Sequence, residues 1–544
     1  MRGRLAVAGI IAFAVILGSY LAYMAGHPYH WTLDPVDLGV YQSGGLIVRH
    51  VRPLYNPHLA APLYDWRGYQ NLHLKFTYTP FAAVVFALVS FVPWRVLPAI
   101  SVVVSIGALL ATLWFTFGWL GYRRGLTRLG ATLLAAAAVF WTEPVLRTIY
   151  LGQVNLVLMA LIIWDLGQPD TRRPGASRWW KGAGVGVAAG IKLVPLIFVP
   201  YLLLTRRFRA AAVACAAFAA TVAAGFVVAP ADSGRWWLGG LFFNGGRTGF
   251  VGWEGNQSLR GLLTRLAGSV AGAGPVWLAV ALVTAAAGLA CAALLDRAGH
   301  PLPGLLACAL TGLLVSPISW DHHWVWIVPG VAVAAAYAVR AMHAPADAVR
   351  AGVTGGAPGT EGADAGPARV PARAGSAGPG SAGAGGSGTG APRGGAAAGE
   401  APGSGEAATA SGRLSWRRAV CWPAAGYWAL AVALLALYGA WPGRLWGEPS
   451  DLGQFSLGLL WQPPNTDPEV YYRHGDRPWF AEYHWHGIQL LTGNAFLLGG
   501  LALLGILIAA ALRTRLPGRS PSTPTGPTTP RDTTSPAPSA RTSS

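Results

Sequence analysis

Carboxylates are scarce in this chain. Asp and Glu together number 22 among 544 residues, and all charged residues make up 11%, against roughly 25% in a typical soluble domain. With 53% hydrophobic residues, that scarcity excludes an ordinary soluble globular protein and leaves a polytopic membrane protein. Each carboxylate at a membrane boundary is therefore a candidate for chemistry. Cysteines are few as well: Cys215, Cys291, Cys308 and Cys421 stand in apolar stretches without metal-ligand spacing, which speaks against a disulfide framework or a zinc site. No G-x-x-x-x-G-K-[ST] loop and no dinucleotide fingerprint occurs, so ATP-driven transport finds no support and an activated substrate must arrive already charged.

What the chain does have is basic charge and long apolar runs. The net charge of +18 would point to nucleic acid in a soluble protein. Here the basic residues cluster between apolar runs, as at Arg123-Arg124, Arg172-Arg173, Arg206-Arg207 and Arg417-Arg418. That pattern fits anchors on the inner membrane face rather than a nucleic-acid surface. Runs over 5–25, 78–92, 97–119, 129–141, 151–166, 183–204, 209–230, 275–295, 302–317, 324–341, 419–441 and 487–512 predict an all-α bundle of about 10–12 transmembrane helices, because backbone groups in lipid must be satisfied within a helix or a closed barrel. Arg2 and Arg4 keep the N-terminus cytoplasmic, and the first run reads as a retained span rather than a signal peptide.

Strict alternation conflicts with this charge pattern. Two full crossings between Tyr78 and Leu120 would put Arg123 and Arg124 outside, so one of those pieces is expected not to cross. The run 183–204 has basic clusters at both ends and Lys192 and Pro195 in its middle. A hairpin broken at Ile191-Lys-Leu-Val-Pro195 returns both ends to the cytoplasm and lifts Lys192 toward the outer surface.

The organisation expected is a membrane body over 1–342, a Gly/Ala/Pro-rich cytoplasmic linker over 343–413 that lacks the apolar side chains to fold, a two-helix hairpin over 414–512 and a polar tail over 513–544. Unusual polar residues gather in three outer loops, of which the first, between the first two spans, carries Asp34 and Asp37. The second carries Trp253 and Gly255-Asn-Gln-Ser258, and the third His474, His484 and His486. Their many Trp residues also suit an interfacial aromatic belt.

Asp37 is placed to act as general base, or as a solvated carboxylate at the start of a short helix; Asp34, before Pro35, suits a turn or cap. Glu143, Arg147, Gln153 and Asn155 are costly in a membrane unless they face protein or a water-filled cavity. The amides of Gln153 and Asn155 suit either a substrate or helix-to-helix bonding. Lys192 within an apolar run can hold a lipid phosphate as a point charge or snorkel to the interface. Asp321, His322 and His323 suit polar contact with a substrate, and adjacent histidines are poor zinc ligands.

Asp37-Leu-Gly-Val-Tyr41, Phe76-Thr-Tyr-Thr-Pro-Phe81, Gly152-Gln-Val-Asn155, Gly190-Ile-Lys-Leu-Val-Pro195, Gly255-Asn-Gln-Ser-Leu259 and Ser316-Pro-Ile-Ser-Trp-Asp-His-His323 occur in that order. In this the chain resembles glycosyltransferase family 87, the polyprenyl-phosphomannose-dependent alpha-1,2-mannosyltransferases with the GT-C fold. The resemblance spans roughly Leu5 to Arg340. It implies a plasma-membrane, multi-pass enzyme with its site on the outer side, a polyprenyl phosphate mannose donor, a lipid-anchored or polysaccharide acceptor and no cofactor. One acidic residue at Asp37 without a close Asp-X-Asp pair speaks against an obligatory divalent ion, while Asp34 and Asp37, three residues apart, leave such an ion open. The role of base maps onto Asp37, in an inverting displacement. Asp34, Tyr41, Arg147, Gln153, Asn155, Lys192, Asn256, Gln257, Asp321, His322 and His323 are the expected substrate-binding set. Two departures stand out: Thr79 replaces a usual proline, and the C-terminal hairpin falls outside the match. The alternatives are a flippase for polyprenyl-linked glycans and a non-catalytic partner in envelope assembly.

Overall fold

The computed structural model describes residues 2–26, 33–56, 75–169, 178–244, 247, 249–343, 423–440 and 485–513. Among them, regular structure is helical throughout. Six helices are long and apolar enough to cross a membrane, or seven if one bent pair counts as a span, and five shorter apolar helices accompany them. The chain is an all-α multi-pass membrane protein, as its composition predicts. Almost all of the expected linker and tail, together with His474 and His484, lie outside the described residues.

The first five helices are α1 (Arg2–Gly26), α2 (Val36–Arg49), α3 (Pro80–Val89), α4 (Leu97–Trp119) and α5 (Leu126–Phe140). Helices α1 and α5 touch closely because Gly9 and Gly130 carry no side chain: a Cβ on Gly9 would meet the Gly130 carbonyl at 2.8 Å. Small residues allow the same approach in membrane helices generally. Gly130 packs at Leu5 and Ala6, while at the far end Tyr20 meets Phe140 at 5.3 Å and Trp141 at 6.3 Å. The two helices are therefore parallel, and Arg123 and Arg124 fall on the same side as Arg2 and Arg4. Helix α4 ends on that side too, with Gly118 against Arg128. The piece that does not cross is α3. Its ten residues rise about 15 Å, half of a ~30 Å hydrocarbon core. Thr79 caps it through the Ala82 amide at 3.1 Å and donates to the Gly190 carbonyl, which gives the Thr at this position a structural role.

Helices α6 (Glu143–Leu151) and α7 (Asn155–Leu166) meet at 116°, so the run 151–166 is the second arm of a bent pair. The corner is Gly152, at φ +66°, a left-handed conformation that a residue with a Cβ adopts at a cost. A Cβ there would also meet that of Leu38 at 2.7 Å.

Next come α8 (Ala183–Ile191), a 3-10 turn (Val194–Ile197), α9 (Phe198–Leu204) and α10 (Phe208–Val228). Gly182 packs at Ala210, Gly186 at Ala214 and Gly190 at Thr221. Rising numbers on both sides make α8 and α10 parallel, so the chain between them turns back. That is the hairpin predicted at 191–195, with Lys192 extended at its tip (φ −140°, ψ 125°). Asp165 on α7 secures its start by accepting from the Gly182 and Val185 amides at 2.9 and 3.0 Å, since a carboxylate satisfies the orphan donors of a helix N-terminus.

Helices α11 (Leu259–Ala267), α12 (Val270–Arg297), α13 (Pro301–Val315) and α14 (Ile327–Met342) complete the body, a 3-10 segment (Asp321–Trp326) leading into α14. The hairpin pair α15 (Ala424–Tyr438) and α16 (Ala495–Arg513) packs directly on this body. Trp324, fully buried, lies 5.8 Å from Tyr438 and 6.3 Å from Phe496, the Ala440 amide donates to the Trp141 carbonyl at 2.7 Å, and Arg265 donates to Asn494.

Candidate active site

All the helix breaks described above lie toward the face opposite the N-terminus, and there they surround one cavity of about 950 Å³. Asp34, Asp37, Arg147, Gln153, Lys192 and Asp321 line it, as do His322 and His323. Residues almost 290 positions apart in sequence thus share one wall.

Asp37 stands in the first turn of α2, where the helix dipole favours a carboxylate. One turn on, the Tyr41 hydroxyl donates to Gln153 Oε1 at 2.6 Å, and Tyr78 reaches the same oxygen at 3.4 Å and the Tyr41 hydroxyl at 2.9 Å. With its oxygen so engaged, Gln153 presents its amide nitrogen to the Asp37 carboxylate, to which it is hydrogen-bonded. Burial pushes the Asp37 carboxyl above its ordinary value, opposed by the charges of His322, Lys192 and Arg147 and by the Gln153 bond. A carboxylate held in this way is a stronger base than an exposed one.

The cationic groups are fixed by their own partners. Lys192 Nζ lies 2.9 Å from Asn155 Oδ1 and 2.9 Å from His323 Nε2. Asn155 in turn donates to the His322 carbonyl at 2.9 Å. Arg147 Nε meets Asp321 Oδ2 at 3.2 Å, while Asp321 Oδ1 accepts from the His322 amide at 2.6 Å and pairs with His322 Nδ1 at 2.9 Å. The outer ring nitrogen of His322, Nε2, has no protein partner. Arg147, Lys192 and His322 are together suited to a phosphate leaving group.

Four residues of the expected substrate-binding set, Tyr41, Asn155, Asn256 and Gln257, are absent from the cavity lining. Asn256 and Gln257 are fully buried. Asn256 bonds the Val251 carbonyl at 2.8 Å and the Ser319 amide at 2.9 Å, and Gln257 donates to the Gly493 carbonyl at 2.8 Å. The structure therefore places these two as struts: Asn256 joins the second outer loop to the segment before Asp321, and Gln257 joins it to the C-terminal hairpin. Their polar side chains next to Ser258 look the same in sequence whether they face a ligand or a neighbouring loop. Tyr78, Trp253 and Trp320 were not singled out as site residues, yet all three line the cavity. Tyr78 and Trp320 stand inside two of the six motifs, whereas Trp253 stands only beside one. Among the described residues, no group of three or more His, Cys, Asp or Glu is placed to hold a metal ion.

Against known proteins, glycosyltransferase family 87 matches residues 76–317. The chain is 37% identical over 325 residues, 59% of its length and 70% of the relative's, to the polyprenol-phosphate-mannose-dependent alpha-(1-2)-phosphatidylinositol pentamannoside mannosyltransferase of Mycobacterium tuberculosis. It is 33% identical over 59% of its length, and 74% of the relative's, to a polyprenol-phosphate-mannose-dependent alpha-(1-2)-phosphatidylinositol mannoside mannosyltransferase from the same species. A pentamannoside mannosyltransferase of Mycolicibacterium smegmatis is 35% identical over 54% of this chain and 68% of its own. No solved structure matches. The similarity over more than two thirds of these relatives, together with the family match over residues 76–317, shows that this chain belongs to glycosyltransferase family 87.

Proposed function

We propose that the chain transfers a mannosyl unit from a polyprenyl phosphate donor to a mannosylated phosphatidylinositol lipid at the outer face of the plasma membrane, with Asp37 as general base. The observation that carries this is the Asp37 carboxylate, raised in basicity, facing a large cavity within electrostatic reach of His322, Lys192 and Arg147. The relatives' names supply the donor and acceptor classes.

In the step so read, an acceptor hydroxyl gives its proton to Asp37 while its oxygen bonds to the sugar C1. The bond from C1 to the phosphate oxygen breaks, and its electron pair leaves with the polyprenyl phosphate. A β-linked donor, as the family resemblance implies, gives an α-linked product by one inversion. Arg147, Lys192 and His322 receive the charge that develops on the departing phosphate. Apolar side chains along α12 and α13, among them Leu278, Leu282 and Val315, line the same cavity and suit the hydrocarbon of the donor. Family membership favours this enzyme over the flippase and the non-catalytic partner.

The test is transfer of labelled mannose from synthetic polyprenyl phosphomannose by membranes carrying the protein, offered phosphatidylinositol mannosides. Label in a longer, α-mannosidase-sensitive glycolipid is expected. Transfer only from a different polyprenyl-linked sugar would overturn the donor, and label confined to polysaccharide would overturn the acceptor.

A further inference from the structure

The cavity has a wall that the proton and phosphate chemistry does not use. Trp253 and Trp320, one from each of two connections on the site face, both line it. Their rings sit 5.3 Å apart at 61°, forming a corner rather than a stack. Both are half-buried, unlike Trp179, which is 80% exposed.

The corner is rigidly built. Asn256 pairs with Trp320 in a short antiparallel bridge, the Gln257 amide donates to the Ser319 carbonyl at 2.8 Å, and the Asp321 amide donates to the Gly255 carbonyl at 3.0 Å. Two glycines let the rings lie against backbone: a Cβ on Gly255 would press on Trp253 at 3.2 Å, and one on Gly249 would press on Trp320 at 3.2 Å. Asp321, which holds Arg147 and His322, follows Trp320 directly, so the aromatic corner and the cationic centre share one frame. Arg247 and Asn244 line the same cavity and add polar groups, with Arg247 tied to the Phe76 carbonyl at 3.1 Å.

We propose that Trp253 and Trp320 form a sugar-stacking subsite that holds the terminal pyranose of the acceptor. Aromatic faces in a cavity that also carries polar groups suit a pyranose, whose C–H face is apolar and whose rim carries hydroxyls. The donor's long hydrocarbon requires the apolar wall of α12 and α13, and its phosphate requires Lys192 and His322, which leaves the aromatic wall to the partner that brings the hydroxyl. The assignment rests on the mannosyltransferase reading and specifies how the acceptor is selected.

The experiment first confirms transfer by the wild-type protein, then measures Trp320→Ala, Trp253→Ala and the Phe variants of both. At saturating donor, the alanine variants should raise KM for a mannosylated acceptor about tenfold, the amount expected for an apolar sugar face of about 50 Å² returned to water. KM for polyprenyl phosphomannose should stay unchanged, and the Phe variants should recover most of the loss. Saturation-transfer NMR on the purified protein with a short alkyl α-mannobioside should show pyranose contact that Trp320→Ala removes. A rise in donor KM instead would assign the corner to the donor sugar, and unchanged kinetics with unchanged NMR contact would sink the proposal. Absence of wild-type transfer with Trp-dependent mannoside contact intact would fault the reaction assigned above, not the subsite.

Discussion

Removing Arg147 should cost this protein stability and activity separately, and the two losses should be separable by a second substitution. The Arg147 and Asp321 side chains are 4% and 6% exposed and 3.2 Å apart. Breaking a buried ion pair by deleting one partner typically costs about 3–5 kcal/mol, because the survivor stays charged without its counterion. Asp321 keeps the His322 amide at 2.6 Å and its ring nitrogen at 2.9 Å, so Arg147→Met belongs at the low end, near 3 kcal/mol. Adding Asp321→Asn removes the stranded charge and should bring stability back to within about 1 kcal/mol of wild type. Transfer should not return, because the cation offered to the phosphate is still missing. Equilibrium unfolding of the purified protein in mixed micelles, followed alongside mannose transfer, measures both. An Arg147→Met variant as stable as wild type, or a double variant as unstable as the single one, would refute the argument.

Further consequences concern the base, the phosphate cation and the helix contact beneath the site. The raised Asp37 carboxyl should place the acidic limb of kcat/KM above the ordinary carboxylate range; activity falls as pH drops through that limb, while stability rises because the folded state binds the proton more tightly. A limb at or below the ordinary value would contradict the burial of Asp37. Lys192→Met should lower kcat about 10²–10³-fold, as loss of a preorganised donor to a developing anion does elsewhere. It should also move the acidic limb further up, since Lys192 now pulls the Asp37 value down. Gly45 packs on the Phe86 backbone, where a Cβ has no room, whereas Gly18 faces open space. Gly45→Ala should therefore cost about 1–3 kcal/mol and Gly18→Ala almost nothing, as the same unfolding assay would show.

The ionisable part of the site was legible because charge is rare here. In a chain with so few carboxylates and so much apolar sequence, Asp37, Arg147, Lys192 and Asp321 stand out by the energetic cost of keeping them at a membrane, and the structure brings them to one cavity. The break at Lys192 and the non-crossing α3 were legible through the positive clusters, which fix where helices must end. Asn256 and Gln257 were not, since a buried amide bonding a loop carbonyl and an amide bonding a substrate carry the same local sequence. The docking of the C-terminal hairpin through Trp324, Tyr438 and Phe496 was hidden for a different reason: it depends on contacts more than 100 residues apart, which no periodicity encodes. Trp253 and Trp320 were lost among 24 tryptophans, whose belt and cavity roles differ only in the direction the ring faces.

The central claim is that the Asp37 carboxylate removes the acceptor proton. The most direct test is single-turnover transfer from labelled polyprenyl phosphomannose by purified wild type, Asp37→Asn and Asp37→Glu, with donor binding measured in parallel. General-base loss predicts a fall of about 10²–10⁴-fold for Asp37→Asn, with the donor still bound, the fold at least as stable as wild type, and partial recovery in Asp37→Glu. Transfer by Asp37→Asn within tenfold of wild type would mean that another group takes the proton, and the assignment of Asp37 would fail.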